Sequence, residues 1–183
     1  YVFDFEESSS QYIALGTSTS LQPASAITTS GWIKLESTSI MNVIVANNTP
    51  TGYNGYILYI EGSGNKAVFG LTPLTGTSWV KATGSTVFTT GVWYHVMGTW
   101  DGANCKIYVN GNLESTSSAA TSVFYHVDSE GSIGKYASYE ADGLISNVAI
   151  WDSVESATTI YNNGTPGDLT SLSPIGWWKL DQS

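Results

Sequence analysis

Two short acidic segments are the strongest candidates for cation chemistry in this 183-residue chain: Asp128 with Glu130, and Glu140 with Asp142. Calcium collects about six to eight oxygens from carboxylates, Asn side chains and backbone carbonyls of loops. These four acids fall in turn-rich stretches, and Asp101 with Asn104 offers a third pair of donors. None of them matches a contiguous calcium-loop pattern, so a site has to be assembled from separate loops. A second set of residues suits a neutral ligand. Tyr53, Asn54 and Tyr56 lie in the segment Pro50 to Tyr56, Tyr136 and Tyr139 follow Lys135, and Trp79 stands apart. Aromatic rings offer flat apolar faces to the C–H faces of sugars, and Asn, Asp and Gly supply hydrogen bonds beside them. The same rings could instead cap the open edges of a core. Trp32, Trp93, Trp100 and Trp177 are expected inside it.

Catalytic constellations are not evident. A glycosidase needs two carboxylates facing each other about 5–10 Å apart, and on a strand such acids share a face at i, i+2. Asp4 and Glu6 have that spacing but sit on a terminal strand and are expected to face solvent. Glu140 and Asp142 have it in a loop. No Gly-x-Ser-x-Gly elbow occurs. Of the 2 histidines, His95 lies within a strand, where a structural imidazole with satisfied hydrogen bonds is expected, and His126 is expected at the surface. Two His without Cys or Glu at ligand spacing do not make a zinc site. The expectation is a chain that is not an enzyme.

Composition narrows the partners. The formal net charge is −9 and all 6 basic residues are Lys, so no Arg fork exists for phosphate. Phosphate contacts dominate nucleic-acid affinity, which argues against a nucleic-acid partner, and an anionic membrane surface is equally disfavoured. No apolar run reaches the roughly 20 residues of a membrane span. Glycans, metal ions and surface proteins remain. Cys105 is the single cysteine and reads as a small buried hydrophobe. The chain starts at Tyr1 without Met or a signal peptide, which reads as a mature product or an excised segment.

The elements that must position these residues are strands. Short β-branched and aromatic runs recur between Gly, Pro, Asn and Ser: 2–6, 11–15, 27–35, 41–46, 56–61, 66–71, 78–82, 92–100, 105–109, 132–135, 144–151 and 175–180. That spacing predicts an all-β, antiparallel sandwich or barrel, read as one domain over 1–183. Asn110-Gly111 between apolar flanks predicts a two-residue type I′ hairpin, and Asp101-Gly102 a second such turn. One short helix is predicted over 156–162, with Ser156 as N-cap and Gly164 just past its end. The segments 31–36 (GWIKLE) and 176–181 (GWWKLD) share 4 of 6 residues, which suggests similar environments.

The meander Gly91-Val92-Trp93-Tyr94-His95-Val96-Met97-Gly98-Thr99-Trp100-Asp101-Gly102, with Lys106-Ile107-Tyr108-Val109-Asn110-Gly111, resembles laminin-G-like jelly-roll domains of the concanavalin A-like lectin/glucanase superfamily. Ile133-Gly134, the run from Ala141 through Asp142-Gly143-Leu144-Ile145 to Trp151, and the Trp-bearing strand around Trp32 are similar as well. The resemblance implies a two-sheet antiparallel jelly-roll β-sandwich, often with calcium at one rim, serving glycan or protein recognition on secreted, cell-surface or virion proteins. Where many relatives carry an Asp-Glu pair, this chain has Ser146-Asn147, which weakens a charged role there. The alternating carboxylates of the glucanase branch have no counterpart. The expectation is therefore a non-catalytic adhesion module that binds glycan through rim loops with calcium as a candidate cofactor. The alternative is a decoration protein of a virion or extracellular assembly that binds no sugar.

Overall fold

The computed structural model describes residues 2–49, 53–74, 78–118 and 122–180. Pro50, Thr51 and Gly52 of the aromatic loop, and Asp181 of the repeated hexapeptide, lie outside these.

The strands are β1 (Phe3–Phe5), β2 (Ile13–Gly16), β3 (Ile27–Leu35), β4 (Asn42–Asn48), β5 (Tyr56–Ile60), β6 (Ala67–Leu71), β7 (Val80–Thr83), β8 (Trp93–Trp100), β9 (Asn104–Val109) and β10 (Asn112–Ser118). They continue with β11 (Glu130–Ile133), β12 (Lys135–Tyr136), β13 (Tyr139–Glu140), β14 (Gly143–Trp151) and β15 (Gly176–Trp178). One sheet runs β1-β14-β3-β8-β9-β10 with β15 also on β14, and the other runs β2-β11-β4-β5-β6-β7. All pairings are antiparallel. The architecture is the expected jelly-roll β-sandwich.

Period-two alternation builds the core. Cys105, Ile107 and Val109 of β9 point inward and are buried, while Lys106 and Tyr108 between them are not. They meet Leu58, Ile60, Phe69 and Leu71 of the facing sheet in one cluster with Ile33, Leu35, Val96 and Trp100. The sheets approach closely where the chain has no side chain. A Cβ on Gly31 would stand 2.6 Å from the Ile44 methyl, and one on Gly98 would enter the Phe69 ring. Strands β3, β4 and β5 are buried nearly throughout because both of their faces are covered. On the outer face of the β14 sheet, Met97, Ala149 and Trp151 pack beneath Ala157, Ile160 and Leu169.

The turns follow local chemistry. Asn110 (φ 49°) and Gly111 (φ 78°) both take the left-handed conformation that a type I′ hairpin requires. The second hairpin is different: Asp101, Gly102 and Ala103 form a three-residue loop between β8 and β9, with Gly102 at φ 87°. The Asp101 carboxylate caps it, accepting from the backbone N–H of Ala103 and Asn104. Helix α1 (Ala157–Tyr161) starts at the Ser156 cap, whose hydroxyl accepts from Thr159. It ends earlier than expected, because Asn162 (φ 46°), not Gly164, takes the left-handed capping position.

Candidate functional site

The outer face of the six-stranded sheet carries most of the aromatic residues singled out from sequence. Strands β4, β5 and β6 present Val43, Ala46, Ile57, Tyr59 and Val68 there, and Met41, Trp79 and Tyr136 pack over them. Trp79 lies over the bare backbone of Gly70, whose Cβ would sit 3.4 Å from the indole. Its ring meets Tyr136 edge-on, with centroids 6.1 Å apart and planes at 84°. Tyr136 comes from a small ribbon, β12 with β13, whose turn places Ala137 at φ 53°. An ion pair of 3.1 Å between Lys135 and Glu140 closes that ribbon. Lys135 also stacks on the Tyr12 ring, 4.5 Å from its centroid.

Two clefts flank the ribbon. The larger, about 680 Å³, is lined by Glu7, Met41, Tyr59, Glu61, Tyr139 and Glu140, among others. The smaller, about 340 Å³, includes Tyr12, Asn48, Glu130, Lys135 and Tyr136. Tyr59 is 4% exposed and lines the larger cleft, and its hydroxyl makes no hydrogen bond among the described residues. Burial first, and then the Glu61 charge, push its pKa up to about 12, so the hydroxyl keeps its proton and is a donor. Burial likewise raises Tyr136.

The six aromatic and amide candidates therefore separate. Tyr53 and Tyr139 are exposed, and Trp79 and Tyr136 are half-buried on this face. Tyr56 is a core residue: it is fully buried, its hydroxyl donates to the Leu21 carbonyl at 3.0 Å, and Tyr125 packs edge-on against it. Asn54 is a buried lock. Its Oδ1 accepts from the Thr49 N–H and the Ser129 hydroxyl while its Nδ2 donates to the Thr49 hydroxyl, and at 2% exposure the side chain is tied into the fold. Sequence alone missed Tyr59 and Glu61. The only signal was their place at the end of a strand that reads as wholly core.

The four acids expected to ligate a metal are not drawn into one cluster. Asp128 stands by His126, 3.4 Å from its ring nitrogen, and Glu140 is held by Lys135. Glu130 opens β11, opposite Asn48, and the Asp142 N–H bonds the Asn42 side chain. Among the described residues, the three carboxylates whose oxygens lie within 4.8 Å of one another are Asp4, Glu6 and Glu36. The Glu36 pKa is raised, by desolvation and then by the charges of Asp4, Glu6 and Asp142.

Other expectations change in detail. His95 is buried, but neither ring nitrogen has a partner among the described residues, so its hydrogen bonds are not satisfied as expected. It packs against Trp32 and Tyr161, with ring centroids at 5.2 and 5.9 Å. Trp93 is 36% exposed, because it stands at the open end of β8, and Trp177 is only partly buried. Asn147 does structural work: at φ 50° in a bulge of β14, it donates to the Gly167 carbonyl and accepts from the Trp177 indole.

No curated protein matches the chain significantly. Among solved structures, a putative carbohydrate-binding protein from Bacteroides ovatus aligns with a TM-score of 0.68 at 21% identity, covering 100% of this chain and 52% of that one. This chain thus spans about half of that relative. The Ruminococcus gnavus IT-sialidase CBM40, bound to α2,3-sialyllactose, aligns with a TM-score of 0.69 at 14% identity, covering 88% of this chain and 94% of that one. Domain 4 of AbnA, a GH43 extracellular arabinanase from Geobacillus stearothermophilus in complex with arabinotriose, aligns at 0.63 and 17% identity over 80% and 69%. These likenesses establish the fold. The family profile matches residues 7–161, most of the sequence, and the chain belongs to the concanavalin A-like lectin/glucanase superfamily, in its laminin-G-like branch.

Proposed function

We propose that this protein is a non-catalytic glycan-recognition module whose ligand lies on the outer face of the six-stranded sheet, beside the β12–β13 ribbon. One observation carries the reading: a cleft of about 680 Å³ in which Tyr59, a residue otherwise buried, lies with Tyr139, Glu61 and Glu140. The ring of Tyr59 is buried while the residue lines the cleft, so its hydroxyl is held in place as a donor for a ligand oxygen. The exposed ring of Tyr139 in the lining supplies flat apolar surface, and Tyr53 is exposed near Tyr136. The carbohydrates bound to two structural neighbours, arabinotriose and sialyllactose, support the class. The carboxylates of this cleft favour a ligand without negative charge, closer to the first than to the second. The module reading also carries extracellular, cell-surface or virion-surface placement; among the described residues no helix is long and apolar enough to cross a membrane.

Calcium is a further part of the proposal. The Asp4, Glu6 and Glu36 carboxylates, with Asp142 near Glu36, have the hard oxygen donors that calcium takes. A cation would relieve the mutual repulsion that, after desolvation, raises Glu36. The experiment is a glycan array run with calcium and with chelator, alongside melting curves under both conditions. Binding of neutral or amino-bearing glycans, lost in a Tyr59→Phe, Tyr139→Ala double variant, is the expected result. Silence across the array under both conditions would sink the lectin reading and favour a purely structural role in an assembly. A melting temperature indifferent to millimolar calcium would remove the metal, since a ligand bound only by the native state raises stability.

A further inference from the structure

The larger cleft gathers carboxylates from three separate segments: Glu7 after β1, Glu61 at the end of β5, and Glu140 on β13. Lys135 engages Glu140, whereas Glu7 and Glu61 form no ion pair among the described residues. The three do not meet the 4.8 Å mutual spacing at which the Asp4, Glu6 and Glu36 oxygens converge, so they are too far apart to share one ion. They can meet separate cationic groups carried on one extended ligand. Tyr59, 4% exposed, lines the same cleft, and its hydroxyl makes no hydrogen bond among the described residues.

Resting on the glycan reading above, we propose that this cleft binds a protonated amino sugar oligomer of the glucosamine class. Ammonium groups lie on the Glu7 and Glu61 carboxylates, and the Tyr59 hydroxyl donates to a sugar oxygen. An anionic glycan meets three carboxylates and a chain of net charge −9, which repel it. A neutral glycan satisfies Tyr59 but partly desolvates two carboxylates that gain nothing in return. A glucosamine oligomer answers both requirements, because each ring combines an ammonium with neutral hydroxyls and a C–H face for Tyr139. Charge-assisted hydrogen bonds of ammonium to carboxylate are about twice as strong as neutral ones, which sets the direction of the preference.

The test is calorimetric titration with tetraglucosamine and with its fully N-acetylated counterpart, at about pH 5.5, where ordinary carboxylates are charged. The free-amine tetramer should bind about tenfold more tightly, a difference of about 1.4 kcal/mol. That preference should vanish in a Glu7→Gln, Glu61→Gln double variant and in about 1 M salt, where screening acts within about 3 Å. Equal affinity for the two tetramers, or a preference that survives the double variant, overturns the ammonium assignment and leaves the glycan reading standing. Failure of both tetramers to bind overturns the cleft's ligand class; the glycan array then decides on its own whether any glycan is bound.

Discussion

His95 is 1% exposed, and both of its ring nitrogens lack partners among the described residues. Burial lowers its pKa from the ordinary 6.5 to about 4. As pH falls through 6.5 the unfolded chain takes up a proton here, and the folded chain does not until about 4. Stability therefore drops across that window, by about 3 kcal/mol in total, and is fully present only above it. Between about pH 6.5 and 5, where ordinary carboxylates hardly titrate, wild type should lose melting temperature and His95→Gln should not. A flat wild-type curve there would contradict the buried neutral imidazole. Two tyrosines make the opposite comparison. Tyr139→Ala removes a ring that is 47% exposed, so stability should move by no more than about 0.5 kcal/mol while glycan affinity falls about tenfold. Tyr56→Ala empties a fully buried site and should cost about 3–5 kcal/mol of unfolding free energy in denaturant melts. If the two variants trade these effects, the assignment of ligand face and core is reversed.

Strand β14 organises one side of the sandwich. It pairs with β3 along one edge, while β1 and β15 share the other, β1 along Gly143–Ile145 and β15 along Val148–Ile150. The two similar hexapeptides thus flank the same strand from opposite sides: Trp32 stands opposite Ser146, and Trp177 opposite Ala149. The bulge at Ser146 and Asn147 falls where β1 ends and β15 begins. Asn147 pins the returning chain there through Gly167, Trp177 and its own N–H to the Lys179 carbonyl. Asn147→Ala should strand the Trp177 indole N–H and the Gly167 carbonyl. We expect a loss of about 2–3 kcal/mol and earlier cleavage within residues 167–180 in limited proteolysis. Asn147→Gly keeps the positive φ but not the hydrogen bonds, so it should resemble the Ala variant if the tether, rather than the backbone, is what matters.

Charge acts on the whole molecule. With 15 acidic and 6 basic residues, the formal net charge of −9 opposes compaction. Raising monovalent salt from low to physiological strength should therefore raise the melting temperature, because the Debye length shortens to about 8 Å. A melting temperature that falls with salt would mean that the few ion pairs, Lys106–Asp101 and Lys135–Glu140, outweigh the general repulsion. The same field bears on partners. It disfavours anionic surfaces everywhere on the molecule, and so the ligand class argued for the cleft agrees with the global charge.

By itself, the sequence determined the strands, most of the turns and the family. Period-two burial in β9, the Asn110-Gly111 hairpin and the Ser156 cap are local matters, settled by side-chain alternation, positive φ and a neighbouring N–H. Residue types also pointed to aromatic recognition, and Tyr53, Trp79, Tyr136 and Tyr139 do share one region. What only the tertiary structure decided is which face each ring occupies and which acids meet. Tyr56 and Tyr59 lie on the same strand, yet one is a core residue and the other lines the cleft. Because they are three residues apart, the pleat turns them to opposite sides of the sheet. Which side is core depends on the packing of the second sheet. The acids of the cleft, Glu7, Glu61 and Glu140, and those of the Asp4, Glu6 and Glu36 group come from distant segments joined by strand order. Spacing along the chain carries no record of such neighbours, because antiparallel pairing between distant strands sets their separation.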